Sequence, residues 1–141
     1  MSEQVVRSPE ETFDAFVNGR LAKGEWTHEA HLTAAFMTLR DRTPEQALDF
    51  LRAAITAHNC GVGTPNDEAD GYHETITRYY ITAVSQANAA TIHDLQSEPT
   101  CGRTAALKYW SRDLLFSSEA RLGWVPPDLA TPPWPIVGSA A

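Results

Sequence analysis

The sequence predicts an all-α protein: a bundle of four to five helices with a Pro-rich extended C-terminal tail. Helix-start signatures recur at Ser8-Pro9-Glu10-Glu11, at Thr27 and at Thr43-Pro44-Glu45-Gln46. Behind these starts, apolar residues return with the spacing of one helix face. No segment shows the alternation of a half-buried strand, and there is no internal repeat.

In the first helix Ser8 is the N-cap, Pro9 suits the first helical position and Glu11 completes a capping box. Phe13, Phe16 and Val17 give it an apolar side, and Asn18-Gly19 is a stop signal. Thr27 caps the second helix, with Leu32, Ala35, Phe36 and Leu39 as its stripe. Thr43 and Gln46 form the capping box of the third. Its stripe is Ala47, Leu48, Leu51, Ala54 and Ile55, and it ends over Asn59 to Gly63. The stretch from Asn59 to Gly71 reads as a polar loop. Asp70 is the candidate cap of a fourth helix, whose stripe is Tyr72, Ile76, Tyr79, Tyr80, Ala83 and Val84. A weaker helical region runs from Ala89 to Trp110, broken around Pro99 and Gly102. Ser118 to Leu122 reads as one short turn stopped by Gly123. The segment from Trp124 holds five of the nine prolines and reads as extended. Trp124 and Trp134 are placed to pin it across the helices, and the last few residues are expected to fray.

A chain of 141 residues fits a single domain, residues 1–141, with about 124–141 as the tail. A formal net charge of −7 argues against a general binder of nucleic acid or anionic membrane. No apolar run reaches the ~20 residues of a membrane span, and the N-terminus lacks the pattern of a secretory signal. Cys60 and Cys101 have no C-x-x-C spacing, so nothing points to a disulfide framework. The expectation is a reduced, cytoplasmic protein whose partner is a small-molecule substrate or ligand. The aromatic tail is also a candidate surface for a homodimer. Neither a Gly-rich phosphate loop nor a haem-attachment motif is present, so no organic cofactor is expected.

Four of the five histidines draw the functional reading. A short loop makes the second and third helices antiparallel, and the fourth returns to the same end. His28 and His31 start the second helix, His58 ends the third and His73 starts the fourth, so connectivity converges them. At about 100° per residue His28 and His31 are separated by roughly 60° and share a face. Imidazoles contributed by several helices are a usual way to build a metal site in a bundle. Each also has a bland explanation, as a cap or as a partner of a helix dipole. H-x-x-H is a weak motif and lacks the spacing of a zinc-protease helix. His93 reads as a surface residue, and Cys60 is a remote candidate for a soft ligand.

Glu74 points away from the apolar stripe of its helix. An acid in the first turn favours the dipole and pairs with Arg78 four residues on. It is also a candidate second-shell group or general base. Tyr80, Arg78 and Arg112 are candidates to surround a ligand, although tyrosines here are more often core and arginines more often solvated.

The stretches "WTHEAHL", "GYHETITRYY" and "YWSRDLLFSSEARLGWVPPDL" resemble a family of small bacterial helical proteins carrying W-T-H-x-x-H-L, G-Y-H-E-T and Y-[YW]-S-R motifs. The resemblance runs from about Phe16 to Leu129. It implies that His28, His31 and His73 are motif residues, with Glu74 beside the last. Similar proteins carry a tyrosine where this chain has His58, which implies an auxiliary role for that residue. The resemblance marks positions and implies no activity.

The leading expectation is a small metal-dependent enzyme, hydrolytic or oxidative, acting on a small molecule. His28, His31 and His73, with His58 auxiliary, would hold a divalent transition metal: zinc, iron, copper or nickel. Glu74, Tyr80 and Arg112 would be the catalytic candidates. The alternative is a non-enzymatic binding module for a metal or small ligand, or a structural protein with no metal.

Overall fold

A computed structural model describes residues 7–138. The described residues are all-helical and contain no strand. Seven α-helices occur among them: α1 (Pro9–Val17), α2 (His28–Thr38), α3 (Pro44–Gly61), α4 (Glu74–Ala87), α5 (Ile92–Gln96), α6 (Arg112–Leu115) and α7 (Ser118–Leu122). Three 3₁₀ turns lie at Lys23–Glu25, Pro99–Cys101 and Ala105–Lys108. No described helix is long and apolar enough to cross a membrane. The fraying expected at the last few residues falls outside the described residues.

The start signals act as expected. Ser8 and Glu11 exchange capping hydrogen bonds at α1, and Thr43 and Gln46 do the same at α3. The Thr27 hydroxyl accepts from the Ala30 amide at the start of α2. The start of α4 differs. Asp70 does not cap it; the His73 ring does, its Nδ1 accepting the Ile76 amide at 3.1 Å. The weak region after Ala89 divides into α5 and two 3₁₀ turns because Pro99 and Gly102 interrupt it. The four-residue α6 is too short to show any periodicity in sequence.

Helix α2 packs against α1, α3, α4 and α5. Its buried residues are Ala30, Leu32, Thr33, Ala34, Ala35 and Thr38. It is therefore enclosed on several faces by small side chains that let its neighbours come close. Phe36 and Leu39, expected in its buried stripe, are only half-buried. Leu51 and Ile55 of α3 and Tyr79, Ile81 and Val84 of α4 join the same core. Burying each such aliphatic side chain contributes roughly 1.5–3 kcal/mol.

Residues 124–138 contain no helix or strand. Trp124 meets Trp110 edge to face, and Trp134 lies against Tyr79, each with ring centroids 5.8 Å apart. Backbone bonds add to this: the Trp110 indole donates to the Val125 carbonyl, and the Val137 amide donates to the Thr82 hydroxyl.

Candidate functional site

The sequence Trp26-Thr27-His28-Glu29-Ala30-His31 is first of all a helix entrance. Trp26 precedes the cap and packs on the residue four positions into the helix, the arrangement of a hydrophobic staple. Here that residue is His31, and the two rings lie 3.8 Å apart. The His31 Nδ1 donates to the Thr27 carbonyl at 2.6 Å. In the neutral ring this leaves Nε2 as an acceptor. His31 is exposed at the mouth of the cleft, with Trp26 covering one side of its ring. Desolvation lowers its pKa to about 4, with the Thr27 hydrogen bond opposing and the neighbouring His28 and His58 assisting.

His58, in the last turns of α3, is 4% exposed and lies against both Phe16 and Trp26, which stack on each other. Its Nε2 is buried with no hydrogen-bond partner. Burial lowers its pKa. His73 is also buried, but both of its nitrogens are committed. While Nδ1 caps α4, Nε2 donates to the Leu115 carbonyl at 2.6 Å. Burial pushes its pKa down to about 4; the Leu115 bond opposes this and the Arg121 charge adds to it.

These three imidazoles line one cleft of about 420 Å³, together with Lys23, Trp26, Asn59 and Arg121. A small apolar recess continues from it, sharing Trp26, His31, Ile55, Ile76 and Thr77 and adding Ala34, Leu51 and Ile81. The convergence expected from connectivity thus brings together His31, His58 and His73. His28 is not part of it. The His28 Nε2 donates to the Cys101 carbonyl at 2.9 Å, and the ring meets Tyr80 edge-on.

The expected metal set of His28, His31 and His73, with His58, is therefore not assembled. One member binds a carbonyl outside the cleft and another has no free nitrogen. Among the described residues, no group of three or more His, Cys, Asp or Glu side chains is arranged to hold a metal. Cys60 is exposed and Cys101 buried, both as free thiols. His93 is exposed.

The catalytic candidates are placed elsewhere. Glu74 is 5% exposed, although it points away from the apolar stripe of its helix, and it makes the expected pair with Arg78. Its carboxylate accepts two bonds from Arg52, at 2.9 and 2.7 Å, one from Arg78 at 2.6 Å and one from the Tyr72 hydroxyl at 2.8 Å. Burial alone would raise its pKa, but the Arg52, Tyr72 and Arg78 bonds hold it at about 2. A carboxylate so fully satisfied is a poor general base near neutral pH. Tyr80 donates to the Gly102 and Arg103 carbonyls, and burial raises its hydroxyl to about 12. It stays protonated and its ring walls the apolar recess. Arg112 is exposed, lies over Phe116 and lines neither the cleft nor the recess.

The Arg52–Glu74–Arg78 network borders a second cleft of about 490 Å³, which meets the first at Tyr72 and Arg121. A further cleft of about 260 Å³, beside Arg7, Glu25 and Glu29, contains none of the candidate residues. Trp26, Lys23, Asn59 and Arg121 were not singled out from sequence. Trp26 alone had a readable signal, its place just before the Thr27 cap and five residues ahead of His31. Compared with known proteins, the chain matches no family model, no curated protein and no solved structure.

Proposed function

We propose that this protein binds a small organic molecule in the cleft formed by α2, α3 and the start of α4. The packed helices act as a bundle, closed along one side by the proline-containing C-terminal segment. The observation that carries the reading is the buried, unpartnered Nε2 of His58 beside the free Nε2 of His31. Leaving a polar atom buried without a partner costs about 1–3 kcal/mol, a cost a bound ligand would offset. Neutral imidazoles supply hydrogen bonds without the desolvation cost of a fixed charge. Trp26, stacked on Phe16 and packed against His31, gives an aromatic edge, and the adjoining recess supplies apolar surface.

The test is a fragment screen followed through the ¹⁵N shifts of the imidazoles. Ligands that move His31 and His58 while leaving exposed His93 unchanged are expected. Loss of that response in Trp26→Ala, with the fold retained by circular dichroism, completes the expected result. Fragments that move no cleft imidazole would refute the reading.

A metal-dependent enzyme is the second reading, favoured by His31 and His58 lining one cleft. It requires a further donor from outside the described grouping. Near-stoichiometric metal in protein purified without a histidine tag, lost in both His31→Ala and His58→Ala, would establish it over the first reading.

A further inference from the structure

The charge of the cleft narrows its ligand. Its lining contains Lys23 and Arg121 and not a single Asp or Glu. This is unusual in a chain with a formal net charge of −7. The neighbouring clefts mix both signs: one holds Glu25 and Glu29 with Arg7, the other Glu74 and Asp67 with Arg52, Arg78 and the shared Arg121. Six other arginines form ion pairs among the described residues, whereas Lys23 and Arg121 form none.

Arg121 is also held in position. Its Nη1 donates to the Gly71 carbonyl at 2.8 Å, which fixes the guanidinium at the boundary of the cleft. Gly71 cannot be moved easily by a side chain there. It has φ +83°, and a Cβ would come within 2.1 Å of the Pro65 carbonyl oxygen. A guanidinium anchored by one nitrogen retains further donors for a planar anion. At the other side of the same space lies the apolar recess of Ala34, Leu51, Ile55, Ile76 and Ile81.

Resting on the reading of this cleft as a small-molecule site, we infer that its ligand is a small organic anion with an apolar body. The anionic group is met by Arg121 and Lys23, and the apolar body passes the edge of Trp26 into the recess, since Phe16 and His31 already cover the faces of the indole. The His31 Nε2 acceptor then favours ligands that also present a hydroxyl or N–H donor.

The experiment uses the full chain and a matched set of probes: 4-phenylbutyrate, 4-phenylbutanamide, 4-phenylbutylamine and inorganic phosphate. Affinity is measured by calorimetry, with the His31 and His58 shifts reporting the place of binding. The expected result is that the carboxylate binds at least about tenfold tighter than the amide, with the amine weakest. That preference should shrink as salt is raised. Inorganic phosphate should bind more weakly than the carboxylate, because it leaves the recess unfilled. Lys23→Gln, on an exposed turn, should reduce the preference for carboxylate over amide several-fold, and Lys23→Gln with Arg121→Gln should abolish it. Lys23→Gln keeps the test decisive if the Arg121 variant disturbs the Gly71 loop. Equal binding of carboxylate and amide overturns the anion assignment and leaves the small-molecule reading standing. Equal binding of phosphate and phenylbutyrate overturns the apolar body. Failure of all four probes to move either imidazole overturns the inference, and the fragment screen then decides the reading beneath it.

Discussion

Two polar groups sit side by side near Tyr72, and they are built on opposite principles. Around Glu74, every strong donor finds its acceptor: two guanidiniums and a phenol converge on one buried carboxylate. Around His58, an imidazole nitrogen is buried with nothing to bond. The first group is complete without any other molecule and joins α3 to α4. The second is incomplete, and on the proposed reading it is a ligand that would complete it. Burial and perturbed pKa values occur in both, so neither property alone identifies a binding site. The difference lies in whether hydrogen-bonding capacity is already spent.

Breaking the complete group should have the largest effect. Glu74→Ala leaves two guanidiniums facing each other, with Arg78 only 16% exposed. A loss of about 3–5 kcal/mol is expected, read from urea unfolding. A loss under about 1 kcal/mol would show that the network is not a structural element. Acidification should come next. Folded His73 holds its proton only below about 4, against an ordinary value of 6.5, so the unfolded chain binds more protons between those values. Stability therefore falls as pH drops from 6.5 to about 4, and His73 alone contributes on the order of 3 kcal/mol to that fall. Glu74, held at about 2 against an ordinary 4.5, extends the loss to lower pH. Melting curves at pH 7, 5 and 4 measure the first part. A melting temperature flat across that range would show that these imidazoles are not held neutral.

His73→Ala removes both a cap and the partner of the Leu115 carbonyl, so a loss of about 2 kcal/mol is expected. His73→Asn should recover about 1 kcal/mol by restoring the cap alone. Equal losses in the two variants would remove the capping account. His58→Leu tests the incomplete group. It replaces an unsatisfied nitrogen with apolar atoms, and stability should hold or rise by up to about 1 kcal/mol while ligand response is lost. A large destabilisation would place His58 with Glu74 as architecture. Arg112→Ala, on an exposed side chain, should change stability by less than about 0.5 kcal/mol and leave ligand response intact.

The capping boxes of α1 and α3 were legible because their chemistry is local: a cap residue and its partner are three positions apart. The convergence of His31, His58 and His73 was legible because a short loop sets α3 antiparallel to α2 and the longer loop after α3 returns the chain into α4 at the same end. What stayed hidden depends on distant partners. Nothing near His28 foretells the Cys101 carbonyl, 73 residues on, that accepts its hydrogen bond. The Glu74–Arg78 pair was legible from its i,i+4 spacing, but the burial of Glu74 was not, because a helical wheel cannot anticipate Arg52 arriving from another helix. Small residues concealed the burial of α2, since periodicity weighs large apolar side chains most heavily. The His73 cap was hidden because histidine is an uncommon choice for that position, where Ser, Thr, Asp and Asn lead.

The opening residues of α4 also have a consequence for the order in which the protein is made. His73 is tied to Leu115, 42 residues later, and Thr75 to Gly123, 48 residues later. The Thr75 hydroxyl also receives the Val125 amide, while Arg121 reaches back to the Gly71 carbonyl. A nascent chain that has emerged only as far as Trp110 can wind α1 to α4, since their stripes and most of their caps are local. It cannot fix the wall of the cleft that His73 and Arg121 provide. During synthesis the helices therefore precede the site, and recognition becomes available only once the final quarter of the chain has been delivered to it.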